Sequence, residues 1–182
     1  MSLIFTPAHA AEAPQQAHQS LAAVEQMLGS IPNMFRLEAA SPAALAAHVA
    51  YLGALSKGSL DGKTATRIAV AIANVNGCEY CNSAHTFLAQ RQKLDDAELA
   101  ANRAGTSNDP RAAAIVQLAV QIAQQRGHVS SADVAAAKAA GLSDSDLVEI
   151  VSHVAINTFT NYLNTAFQTE IDFPVVSLAK VA

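Results

Sequence analysis

Residues 74–89 read NVNGCEYCNSAHTFLA, and they hold both cysteines of the chain, Cys78 and Cys81, with His85 four positions after the second. Gly77 stands immediately before the first cysteine. A residue without a Cβ accepts backbone conformations that others avoid, so Gly77 eases an entry bend. From Cys78 onward the spacing is helical. Positions three and four apart lie on one helix face, which brings Cys78, Cys81 and His85 to neighbouring positions.

Working outward, the flanks are helical too. LDGKTATRIAVAIANVN (60–76) has Asp61 as a cap and then an apolar run. Further upstream, residues 14–28 form one expected helix, ended by Gly29, and Ser41 followed by Pro42 opens another that ends near Ser56–Gly58. The stretch between them, SIPNMFRL (30–37), reads as a structured link. Downstream, residues 94–105 give a short helix with a glycine stop, and Asp109–Pro110 begins a largely apolar one. Ser130 and Asp133 form a capping-box pattern, Gly141 is a C-cap, and a long helix begins near Ser143 and ends before Pro174. The expected fold class is all-α, one domain over 1–182 with irregular tails at 1–13 and 175–182. LSDSDLVEIVSHVAINT (142–158) repeats the plan of 60–76, which suggests repeated helical hairpins.

Composition narrows the function classes. Hydrophobic residues make up 51% of the 182 and aromatics 5%, consistent with alanine-rich helices in close contact. The formal charge is −4, and the 11 basic residues are scattered, so no nucleic-acid partner is expected. No apolar run reaches the ~18 residues of a membrane span. The opening MSLIFTPAHAAEAP lacks a basic leader and an apolar core, and two cysteines do not make a multi-bridge secreted scaffold, so the expected location is cytoplasmic.

The cysteine pair has three chemical readings. As a redox pair, Cys81 is the candidate nucleophile because His85 is spaced to serve it, while Cys78 resolves the oxidised intermediate. Peroxide attack makes a sulfenic acid at Cys81, condensation with Cys78 closes a disulfide, and an external dithiol reopens it. As a metal site, Cys78, Cys81 and His85 supply three donors, and His48, His128 or His153 would have to complete the set. As a packing feature, the cysteines are inert core residues. The redox reading needs no metal and no cofactor.

The motif NGCEYCNSAH (76–85), with IPNMFRLEAASPAALAAHVAYLGAL (31–55) before it and GLSDSDLVEIVSHVAINTFTNYLN (141–164) and DFP (172–174) after it, resembles the carboxymuconolactone decarboxylase superfamily in its AhpD-like alkylhydroperoxidase branch. The resemblance implies an all-helical fold, a trimeric or hexameric homo-oligomer, and a thiol-dependent peroxidase or disulfide reductase. Its partners would be a hydroperoxide substrate and a dithiol or thiol-protein reductant. It assigns Cys81 as the reactive cysteine, Cys78 as the resolving one and His85 as the proton-relay histidine.

One departure matters. The family's relay glutamate, about twelve residues before the first cysteine, falls on Thr66, and Tyr80 fills a slot between the cysteines that is sometimes histidine. Threonine is no carboxylate base; it offers only a hydroxyl hydrogen bond. Glu149 and His153, four apart on the late helix, are the internal substitute for that relay. Two other classes stand beside the peroxidase: a redox-sensing or scaffolding oligomer whose disulfide does not turn over, and a lactone decarboxylase, which has no evident need for paired thiols.

Overall fold

The structure is a computed structural model and describes residues 2–179. All regular structure among the described residues is helical. Two short 3₁₀ turns, Ala10–Glu12 and Gln15–Ala17, lead into α1 (His18–Leu28) and α2 (Asn33–Glu38). Then come α3 (Pro42–Leu55), α4 (Gly62–Val75), α5 (Glu79–Arg91), α6 (Asp96–Arg103), α7 (Pro110–Gln124), α8 (Ser131–Ala139) and α9 (Asp144–Phe167). The chain is therefore all-α. Of the expected tails, Met1 and residues 180–182 lie outside the described residues.

Most helices start where the capping chemistry predicts. Ser41 Oγ accepts the Ala44 N–H at 3.3 Å, Asp61 Oδ1 that of Thr64 at 2.7 Å, and Asp109 Oδ1 that of Ala112 at 2.8 Å. Each satisfies one of the donors that a helix start leaves unpaired. Ser130–Asp133 and Ser143–Asp146 both form reciprocal capping boxes.

The link at 30–37 differs from expectation: all but the last residue of α2 lies in it. Pro32 fixes φ at −59° and its carbonyl accepts the N–H groups of Phe35 and Arg36. Phe35 packs with Leu21, Val24 and Leu45 of α1 and α3, so tertiary burial makes a helix of a segment too short to hold one alone. Residues 15–17 likewise form a 3₁₀ turn, and α1 proper begins at His18.

The core is organised around α4. Ile68 and Ile72 meet Ile115 and Leu118 of α7 and Ile150 and Val154 of α9. Val70 packs on Ala89 and Leu99 of α5 and α6, and Ala73 packs on Cys78 and Cys81. From Ile68 to Asn74 every residue of α4 is buried, and its alanines let neighbours approach closely. The two similar stretches, 60–76 and 142–158, become α4 and the first turns of α9, packed on each other in this core. A second cluster joins α1, α2 and α3. No helix among the described residues is long and apolar enough to cross a membrane.

Candidate redox site

The site begins at the turn between α4 and α5. Gly77 sits at φ +69°, a left-handed conformation that other residues adopt only with strain. This turn lets the Cys78 N–H donate to the Ala73 carbonyl at 2.9 Å. Cys78 is then the N-cap of α5, and its Sγ accepts the Cys81 N–H at 3.1 Å. Cys78 and Cys81 are joined by a disulfide, with Cα atoms 5.3 Å apart. The first turn of α5 thus places partial positive charge at the Cys78 sulfur, which lowers the energy of a thiolate there.

Both cysteines are almost fully buried, at 1% and 2% exposure, but each borders a cavity. Cys81 lies on the wall of a largely apolar cavity of about 320 Å³, together with His48, Thr66, His85, Phe87 and His153. Cys78 borders a smaller cavity of about 210 Å³ on another side, beside Glu79 and Gln168. The larger volume falls at the lower end of the range for small-molecule sites. Asn164 of α9 reaches the cysteine pair and donates from Nδ2 to Cys81 Sγ at 3.4 Å.

Two braces hold the CxxC turn. Tyr80 donates its hydroxyl to Asp172 Oδ1 at 2.9 Å and accepts the Met34 N–H at 3.1 Å. Burial, reinforced by the Asp172 charge, keeps the Tyr80 phenol protonated far above its ordinary range. The segment after α9 continues along α5: Ile171 and Phe173 pack on the cysteine cluster, and Asn82 Nδ2 donates to the carbonyls of Val176 and Ser177. On the other side, Arg103 of α6 donates to Asn82 Oδ1 at 3.0 Å and to Thr86 Oγ1 at 2.7 Å.

The other sequence candidates are brought together only in part. His85 is half-buried: its ring opens onto the cavity but sits deep in the protein, and desolvation pushes its pKa down to about 4. It is therefore a neutral imidazole at pH 7. Thr66 lines the same cavity, but its Oγ1 donates to the Gly62 carbonyl at 2.9 Å and is spent within its own helix. His153 is also on the wall; burial lowers its pKa, with the Glu149 charge opposing, and its Nε2 is buried without a partner. Glu149 itself turns away. Its carboxylate accepts the N–H groups of Ser59 and Leu60 at 2.8–3.1 Å, where Gly58 leaves no room for a Cβ. It fastens the α3–α4 link to α9 and makes no hydrogen bond to His153.

The sequence reading passed over one pair. His48 of α3 lines the cavity, and its Nδ1 meets Glu38 Oε2 of α2 at 2.8 Å, with both side chains buried. Nothing in the sequence flags it, because the two residues sit ten apart on different helices. Among the described residues no group of three or more His, Cys, Asp or Glu is placed to hold a metal ion.

A disulfide-forming Cys-x-x-Cys at the wall of an apolar cavity is an arrangement suited to thiol–disulfide exchange. Residues 42–114 match the family model for carboxymuconolactone decarboxylase. The fold is that of an AhpD-core, peroxidase-related protein from Ralstonia eutropha JMP134, with a TM-score of 0.83, 24% identity, and 94% and 92% of the two chains covered. A peroxidase-related protein from Silicibacter sp. TM1040 is similar at a TM-score of 0.80, with 20% identity over 93% and 91% of the chains. A cysteine-to-alanine variant of the debrominase Bmp8, in complex with 2,3,4-tribromopyrrole, is similar at 0.77, with 22% identity over 94% of each chain. The comparison with curated proteins found no match. The chain has the AhpD-like helical architecture of these structures, and its residues 42–114 are similar to the carboxymuconolactone decarboxylase family. The disulfide-forming cysteine pair supports a redox-active role.

Proposed function

We propose that the protein is a thiol-dependent peroxidase that reduces organic hydroperoxides through Cys81 and Cys78. The observation that carries this reading is the position of Cys81: bonded to Cys78, and bordering an apolar cavity of about 320 Å³. In the reduced protein the Cys81 thiolate attacks the terminal oxygen of a hydroperoxide. The O–O bond breaks, an alcohol leaves, and Cys81 becomes a sulfenic acid. Cys78 attacks the Cys81 sulfur, water departs and the disulfide closes. An external dithiol then attacks Cys81 and expels Cys78 as a thiolate, which the start of α5 stabilises as a leaving group. The same cycle run on a disulfide substrate makes the protein a disulfide reductase. His85, neutral at pH 7, relays the thiol proton without storing it. We take the compartment to be the cytoplasm, where dithiol donors are supplied.

Self-association is part of the reading. Val148, Val151, Ala155, Phe159 and Tyr162 are exposed on α9 at the three- and four-residue spacing of a helix-packing seam. A trimer or hexamer would bury it.

The test is steady consumption of cumene hydroperoxide with dithiothreitol as donor, in wild type and Cys81→Ser. Turnover should vanish in the variant while circular dichroism is unchanged. Consumption that stops after about one equivalent in wild type would instead identify a redox sensor or scaffold, and lactone decarboxylation surviving loss of both cysteines would identify a decarboxylase. A second reading is reductive dehalogenation, in which a ring halogen is replaced by hydrogen, leaves as halide, and the two thiols become the disulfide. The apolar cavity and the fold shared with a debrominase favour it. Bromide release from a bromopyrrole by the reduced protein tests it.

A further inference from the structure

Hydroperoxide cleavage needs a proton for the departing alkoxide, a strong base. No Asp or Glu among the described residues lines the cavity of Cys81, and the Thr66 hydroxyl on its wall is occupied within α4. Three histidines line the cavity of Cys81: His48, His85 and His153. His85 and His153 have no carboxylate hydrogen-bonded to them among the described residues, and desolvation favours their neutral forms. His48 is different. Its Nδ1 is held by Glu38 at 2.8 Å, and its ring is fixed between Phe35, stacked at 5.2 Å, and Phe159, edge-on at 5.7 Å. Nδ1 is therefore committed to Glu38, and Nε2 is the ring nitrogen left for a ligand in the cavity.

Glu38 is a strange residue to bury for packing alone. It is 3% exposed, and its second oxygen, Oε1, is buried without a partner. A buried carboxylate with an unpaired oxygen is unfavourable, and such exceptions concentrate where chemistry is done.

We propose that Glu38 and His48 form the acid–base pair of this cavity, with His48 protonating the leaving oxygen of an organic hydroperoxide and Glu38 positioning His48. The proposal rests on the peroxidase reading above. The Cys81 thiolate forms its bond to the terminal oxygen, the O–O bond breaks, and the alkoxide leaves with that bond's electron pair. The alkoxide takes the Nε2 proton of His48, giving the alcohol and the Cys81 sulfenic acid. The proton that Cys81 gave up on ionising restores His48. Glu38 accepts the Nδ1–H throughout, fixing the tautomer and offsetting the charge that the ring bears while protonated.

A general acid matters only when the leaving group is a strong base. The experiment therefore compares two oxidants in single-turnover, stopped-flow oxidation of the reduced protein: cumene hydroperoxide, which releases an alkoxide, and perbenzoic acid, which releases a carboxylate that needs no proton at neutral pH. His48→Gln should slow cumene hydroperoxide about 100-fold or more and leave perbenzoic acid within about twofold. Glu38→Gln should give a smaller loss in the same selective pattern, and should shift the downfield Nδ1–H resonance of His48. The perbenzoic acid rate reports an intact thiol site in each variant, and the near-isosteric Glu38→Gln carries the test if His48→Gln does not fold. Equal slowing of both oxidants, or slowing of neither, overturns the pair's role while the peroxidase reading stands. A wild type whose thiols react with neither oxidant overturns both.

Discussion

Glu98 on α6 is predicted to hold the redox helix in place through a charge, and its effect can be worked out from its surroundings. Its carboxylate is buried, at 6% exposure. It accepts from Arg67 Nε on α4 at 2.7 Å, Asn102 Nδ2 at 2.9 Å, Ser107 Oγ at 2.6 Å and the Asn108 N–H at 2.8 Å. Burial works to raise its pKa, but the hydrogen bonds from Ser107, Asn108, Asn102 and Arg67 outweigh it and take the value from 4.5 down to about 2. Each whole-number change in pKa corresponds to about 1.4 kcal/mol, so the drop from 4.5 to about 2 is worth roughly 3.5 kcal/mol at most. Water reaching Arg67, whose side chain is 15% exposed, reduces this to about 2 kcal/mol. A carboxylate with a lowered folded-state pKa stabilises fully above its unfolded value, and the contribution fades as pH falls from about 4.5 toward 2. The perturbation is Glu98→Gln, which keeps the shape and removes the charge. Urea unfolding at pH 7 should place the variant about 2 kcal/mol below wild type, and the gap should narrow steadily as pH drops through that window. A gap that does not change with pH would mean that packing, not charge, is lost, and would refute the reasoning. The consequence reaches the site because α6 also carries Arg103, which grips Asn82 and Thr86 of α5.

Two further outcomes are expected. The His85 ring, its pKa pushed down to about 4 by burial, should show no titration by NMR between pH 8 and pH 5; because its folded-state value lies below the unfolded 6.5, it should make stability fall as pH drops from about 6.5 toward 4, and an imidazole titrating near 6.5 would contradict the buried placement. Gly77→Ala should lower stability by about 1 kcal/mol in urea unfolding through strain at φ +69°, since a Cβ there meets open space and no clash; an unchanged midpoint would mean the turn has another backbone conformation.

The sequence determined the elements more completely than their associations. Caps, prolines and glycines are local chemistry, so Ser41–Pro42, Asp61, Asp109–Pro110 and Ser130–Asp133 mark helix starts from nearest neighbours alone. The CxxC turn is equally local: three residues of helix are enough to bring Cys78 and Cys81 into bonding range. Tertiary structure decided what could not be local. Helix α2 exists because Phe35 is buried by α1 and α3. Glu149 and His153 share helical spacing, but the backbone of Ser59 and Leu60 offers the carboxylate better donors than an imidazole in an apolar wall does. The cavity beside Cys81 draws its lining from residues as far apart as Met34 and Phe173, and the Glu38–His48 pair crosses from one helix to another. Spacing along a chain fixes neighbours within a turn or two of helix; which distant side chains share a dry space depends on how whole helices pack, and here that packing chooses the groups that surround the sulfur.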